Sequence, residues 1–216
     1  MIVLGYDPGG RSRNAVALLR SEGNQVSLRS ADVESALEGL DWLEKECGPE
    51  IPTHLGIDTF LHWSLSAGGW RPSDLALRRN YSNQAASVLS MNSTFGSMVG
   101  QGMAMAFAAR SRWPNILLNE VHPKIVHSEM FKTPYVRGSL SDAADIRMDQ
   151  LRSLDLKIAG DLTSEDQFDA LLCCIATYLG SRDNWFDLAA SAVNNSSIVF
   201  PMPNISFYWP TTNLEA

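Results

Sequence analysis

Asp7 closes a short apolar run, Ile2-Val3-Leu4-Gly5-Tyr6, and is followed at once by Pro8-Gly9-Gly10. An aliphatic run ended by turn residues predicts a buried strand, which leaves the carboxylate where backbone pairing stops. Pro8 cannot extend a central ladder, and the glycines allow a tight turn and a close approach to a ligand. A carboxylate so placed suits a hard cation; an aspartate bonding its own turn is the other reading. The pattern recurs at His54-Leu55-Gly56-Ile57-Asp58, a second short strand ending on an aspartate. A third run, 115–123, carries Glu120 and His122, which strand alternation would turn to one face. Asp166 and Asp169 open the last helix. Carboxylates converging from strand ends and a helix can hold two divalent ions, which clamp the attacking and leaving oxygens in phosphodiester hydrolysis. Oxygen-only ligation points to magnesium or manganese rather than zinc.

The elements that must position these groups follow in order. Residues 14–20 and 25–29 read as two further strands around the turn cluster Ser21-Glu22-Gly23-Asn24, so three antiparallel strands open the fold. Val33, Ala36, Leu37, Leu40 and Leu43 recur at helical spacing before Gly48-Pro49. Residues 98–109, apolar and Met-rich, predict a packed core helix. A short helix is expected over 124–131, a loop over 133–141 and a helix over 143–154. Ser164-Glu165-Asp166-Gln167 matches a capping box, and Phe168, Leu171, Leu172, Ile175, Ala176 and Leu179 form one apolar stripe behind it. Asp169 borders that stripe and so faces the sheet, whereas Asp166 lies farther round, where the helix dipole alone accounts for it. Residues 192–210, with Ile198-Val199-Phe200-Pro201 and Ile205-Ser206-Phe207-Tyr208-Trp209, suggest a closing edge hairpin.

Arg71, Arg78 and Arg79 lie near an aromatic-rich segment and read either as phosphate contacts or as a solvated helix face. The chain of 216 residues has a formal net charge of −7, which argues against broad affinity for nucleic acid but leaves room for a local basic groove. Its cysteines, Cys47, Cys173 and Cys174, lack metal-ligand spacing, and the adjacent pair reads as small buried residues in a reducing cytoplasm. No basic-then-apolar leader and no bilayer-length apolar run is present, so no secretory signal and no membrane partner are expected. His62, His122 and His127 have no nucleophile-elbow motif to serve.

Taken in order, Gly5-Tyr6-Asp7-Pro8-Gly9-Gly10, Gly56-Ile57-Asp58, Arg71-Pro72-Ser73-Asp74 with Arg78, Asn119-Glu120-Val121-His122-Pro123 and Asp166-Gln167-Phe168-Asp169-Ala170-Leu171 resemble a family of predicted nucleases with a ribonuclease H-like fold, long described as a domain of unknown function. More distantly the chain is similar to RuvC-type Holliday-junction resolvases. The resemblance implies an α/β fold with a ribonuclease H-like mixed sheet, three antiparallel strands then parallel strands, flanked by helices. It spans residues 1–216 as one domain with a long insertion at about 60–112. It implies a metal-dependent nuclease in which Asp7, Asp58 and Asp169 carry the site, with Glu120 and Asp166 as further ligands. Nucleic acid would be the partner, with magnesium or manganese as cofactor. Two other readings stand beside it: a non-catalytic binding or scaffold module of the same fold, and an actin-like or sugar-kinase-like phosphate-binding domain suggested by Asp7-Pro8-Gly9.

Overall fold

The computed structural model describes residues 1–9, 13–23, 25–94, 96–135, 140–154, 156–159 and 161–210, with only the backbone described over 140–144. Gly10, Asn24 and 136–139 of the expected loop therefore lie outside the described residues. The elements are β1 (Ile2–Asp7), β2 (Asn14–Glu22), β3 (Gln25–Val33), α1 (Ala36–Cys47), β4 (His54–Ile57), β5 (Trp63–Ser64), α2 (Pro72–Asn80), α3 (Gly96–Arg112), β6 (Leu117–Glu120), α4 (Pro123–Phe131), α5 (Leu140–Arg152), β7 (Lys157–Ile158), α6 (Glu165–Arg182), β8 (Phe186–Asp187), α7 (Leu188–Ala192), β9 (Ile198–Val199), β10 (Ile205–Ser206) and β11 (Tyr208–Trp209). Among the described residues no helix is long and apolar enough to cross a membrane.

The main sheet has seven strands in the order β10-β6-β4-β1-β2-β3-β7. Pairs β1–β2 and β2–β3 are antiparallel, while β1–β4, β4–β6, β6–β10 and β3–β7 are parallel. It is a mixed sheet flanked by helices, built on the three-stranded opening that the sequence predicts. Strand alternation divides the core into two faces. Leu4, Tyr6, Leu55, Ile57 and Leu118 point to the side covered by α1 and α3. Val3, Ala15, Ala17 and Leu19 point to the other side, against α6.

Gly5 and Gly56 fix how α6 lies on the sheet. They are in register on the adjacent strands β1 and β4. A Cβ on Gly5 would come within 2.2 Å of the Ala170 carbonyl, and one on Gly56 within 2.4 Å of the Cys173 carbonyl. The helix backbone thus rests directly on a two-glycine saddle, closer than any side chain would permit. Cys173 and Cys174 are buried and unoxidised beneath it, as small packing residues.

Three local expectations are corrected. The strand carrying Glu120 stops there; His122 caps α4 instead, because Pro123 sets φ for a first helical turn and removes a ladder donor. The terminal segment forms no hairpin: β9 pairs with β5, β10 extends the main sheet beside β6, and β11 pairs with β8. Each of these strands spans two residues and finds its partner elsewhere in the chain. At the start of α6, the Ser164 hydroxyl accepts from the Gln167 amide, but the Gln167 side chain closes on Thr163 rather than on the cap residue.

Candidate acidic site

Asp7 and Asp58 each stand two residues after a saddle glycine, so both share the face on which α6 rests. Asp169 precedes Ala170, the residue whose carbonyl sits over Gly5. The close contact that the glycines permit therefore brings the three carboxylates together. Asp7 and Asp169 are buried, at 3% and 2% exposure, and Asp58 is partly exposed. Asp7 also closes its own turn, accepting from the Gly9 amide at 3.1 Å, as the turn reading of this residue expects.

Lys124, in the first turn of α4, supplies the counter-charge. Its ammonium donates to Asp169 Oδ2 at 2.8 Å. The Tyr135 hydroxyl donates to the other oxygen, Oδ1, at 2.7 Å, which fixes the orientation of that carboxylate. Burial alone would discharge Lys124, but Asp169, Asp58 and Asp7 outweigh it and hold the ammonium above its ordinary range. Burial pushes Asp7 up strongly, with Asp169 and Asp58 adding repulsion that Lys124 only partly relieves. Asp58 is pushed from 3.8 to about 7, mainly by burial, with Lys124 opposing the shift and Asp169 and Glu120 adding to it. Three carboxyls thus crowd one ammonium, and with Lys124 paired to Asp169 the other two are held toward their protonated forms. Asp166 is partly exposed one turn earlier and adds to the field at Asp7.

Glu120 lies elsewhere. Asn119 points toward α6, donating to Thr177 Oγ1 at 2.9 Å, so its neighbour Glu120 must face the opposite side of the sheet. There it is fully buried and accepts from Arg71 at 2.5 and 2.8 Å and from the Leu61 amide at 2.9 Å. Arg71 in turn donates to Asp74 at 2.6 and 2.9 Å. Although burial opposes it, Arg71 and then His62 hold Glu120 well below the usual carboxylate range. Among the described residues, Asp74, Glu120 and His122 bring possible ligand atoms within 4.8 Å of one another. The Arg71 guanidinium already pairs with both of those carboxylates, so a divalent ion there would face a buried positive charge. The donor set fits an internal salt bridge rather than a cation. At the Asp7–Asp58–Asp169 cluster the spacing is wider and Lys124 stands among the carboxylates.

The expected arginines are likewise redistributed. Arg71 is 1% exposed and saturated, so it does not reach a phosphate. Arg78 donates to the carbonyls of Ala85 and Val88 and lies over the Trp70 ring. Arg79 is exposed. Sequence reasoning did not anticipate Lys124 or Tyr135. Lys124 follows His122-Pro123, a helix-start signal just beyond the Glu120 strand, and that placement is the cue that could have found it. Tyr135 sits in an irregular stretch and offers no such cue. No family model matches this sequence, and no curated protein matches it.

Proposed function

We propose that this chain is a divalent-metal-dependent nuclease of ribonuclease H-like fold, related to the predicted nucleases and, more distantly, to the RuvC-type resolvases that its motifs resemble. The observation that carries the reading is the joint placement of Asp7, Asp58 and Asp169 by β1, β4 and α6, which sets three carboxyls around the one ammonium of Lys124. The all-oxygen donor set fits magnesium or manganese, which Asp7, Asp58 and Asp169 would hold, with Asp166 one turn away. Such an ion supplies a polarised phosphoryl oxygen and an ionised water. The chain's own residues do the positioning. Tyr135 and Lys124 orient Asp169, the saddle glycines set the separation of helix and sheet, and Lys124 offers positive charge to an entering phosphate. In the overall reaction a water oxygen bonds to phosphorus and one ester P–O bond breaks, leaving a phosphate monoester and a free hydroxyl.

A second reading is a binding module without catalysis. It is favoured by the Lys124–Asp169 ion pair, which gives one of the three carboxylates a partner without any metal. Manganese titration by calorimetry separates the two, run beside a cleavage assay on a fluorescent oligonucleotide. The nuclease reading expects a binding isotherm that Asp7→Asn abolishes while the circular dichroism spectrum is unchanged, and cleavage that needs the metal. Equal manganese affinity in wild type and Asp7→Asn, or no binding in either, would leave the binding module.

A further inference from the structure

A cavity of about 520 Å³ opens beside the acidic site, within the range of small-ligand pockets. Asp58 and Lys124 of that site line it, with Glu165 at 3.8 Å from the Lys124 ammonium, so the cavity adjoins the acidic cluster. Away from this rim the lining turns apolar, with Phe60, Leu89, Met98 and Ile125, and polar edges come from Ser93 and Thr94. One wall is the irregular stretch between α2 and α3; the other is the end of β4 and the start of α4.

The cations around the site bear on what fills this space. Lys124 is paired with Asp169, Arg147 with Glu165, and Arg71 is sealed in its own network. A ligand held chiefly through many phosphates would need a row of uncommitted basic side chains, and these are committed. Affinity must then come from burying something apolar next to the phosphate. A nucleobase does this, because it offers a flat ring for Phe60 and Met98 and polar edges for Ser93 and Thr94. A base paired within a duplex cannot enter a cavity of this kind without leaving its stack.

Resting on the nuclease reading above, we propose that this cavity receives the unstacked base adjoining the phosphodiester held at the Asp58–Lys124 rim. The substrate is therefore single-stranded or locally unpaired nucleic acid, and the cavity is what excludes intact duplex.

The test uses oligonucleotides carrying a fluorescent purine analogue, as single strands of DNA and of RNA and as duplex, with wild type and Met98→Trp. Met98 lies on a partly exposed wall, so an indole there fills the cavity without entering the core. The analogue's emission should change with single strands and not with duplex. Cleavage with manganese should favour single strands by at least about tenfold, the worth of one base-stacking contact. Met98→Trp should lose both effects while its manganese isotherm and melting curve match wild type. Comparison of the DNA and RNA arms identifies which sugar the site accepts. Equal cleavage of duplex, or wild-type behaviour in Met98→Trp, overturns the assignment. If no strand is cut but the emission change appears and Met98→Trp abolishes it, the cavity stands and the nuclease reading fails. If neither strand changes the emission, the cavity assignment fails whatever is cut.

Discussion

At the scale of single residues, the acidic site sorts its carboxylates by what each one touches. Asp169 is gripped on both oxygens, by Lys124 and by Tyr135. Asp166 is partly exposed in the first turn, where a negative charge favours the helix dipole. Asp169→Asn should accordingly remove most metal-dependent cleavage, whereas Asp166→Asn should cost a few tenths to about 1 kcal/mol of stability and leave more activity. A cleavage assay that ranks the two variants in reverse would sink this assignment. Lys124→Met addresses the other side of the balance. Removing the partner of a buried charge costs about 3 kcal/mol or more, so the metal-free variant should melt well below wild type. Manganese should recover a larger share of that loss than it adds to wild type, because no ammonium has to be displaced. A manganese-induced rise in melting temperature no larger in the variant than in wild type would show that Lys124 and the ion do not compete.

Among the elements, α6 and its glycine saddle decide whether the residues above meet. An alanine Cβ at position 56 would lie 2.3 Å from Thr177 Oγ1 and 2.4 Å from the Cys173 carbonyl, so α6 must lift. Gly56→Ala should destabilise by about 1–3 kcal/mol through overpacking and also weaken manganese binding, since Asp169 moves away with the helix. Gly100→Ala is the control: its Cβ meets nothing within 4 Å on α3, and an alanine there should stabilise by up to about 1 kcal/mol with no change in metal affinity. Thermal melts and calorimetry on the two variants read both effects. Much of this was legible in the sequence. The Gly-x-Asp pair on two short strands, the capping residue Ser164 and the inward position of Asp169 all follow from periodicity and turn chemistry. The face that Glu120 takes could not be read, because it depends on the register of β6 beside β4, which sets Asn119 opposite Gly56. The Arg71 network could not be read, because it joins an insertion to β6 through contacts about fifty residues apart in the chain. The terminal strands failed for a related reason. Two-residue strands carry no period, and their partners lie far away in sequence.

For the whole molecule, the buried acids make stability depend on pH in a way that isolates the site. The Asp58 carboxyl titrates at about 7 in the fold and near 3.8 when unfolded. Between those values the native state binds a proton that the unfolded chain does not, so stability falls as pH rises through that window and levels above it. Asp7, also raised, acts in the same direction. Glu120 acts oppositely. Its lowered pKa gives a contribution complete above its ordinary value of 4.5 and lost as the solution becomes more acidic. His54, His122 and His127 are lowered by burial, so each destabilises the fold as pH drops below 6.5. The raw melting curve therefore mixes all of these. Asp58→Asn keeps Glu120 and the histidines and removes the Asp58 proton, so the difference between the two proteins reports on the site. Of the charges acting on Asp58, Lys124 opposes the shift while Asp169 and Glu120 add to it, and all three persist in the variant. In the absence of metal, the melting temperature of Asp58→Asn minus that of wild type should rise steadily from about pH 4 to about pH 7 and then flatten. Saturating manganese, which takes the place of the proton among the carboxylates, should abolish the rise in wild type and do little for the variant. A difference that stays flat across the acidic range would mean that Asp58 keeps the ordinary carboxylate pKa in the native protein, and the burial and crowding that raise it would be absent.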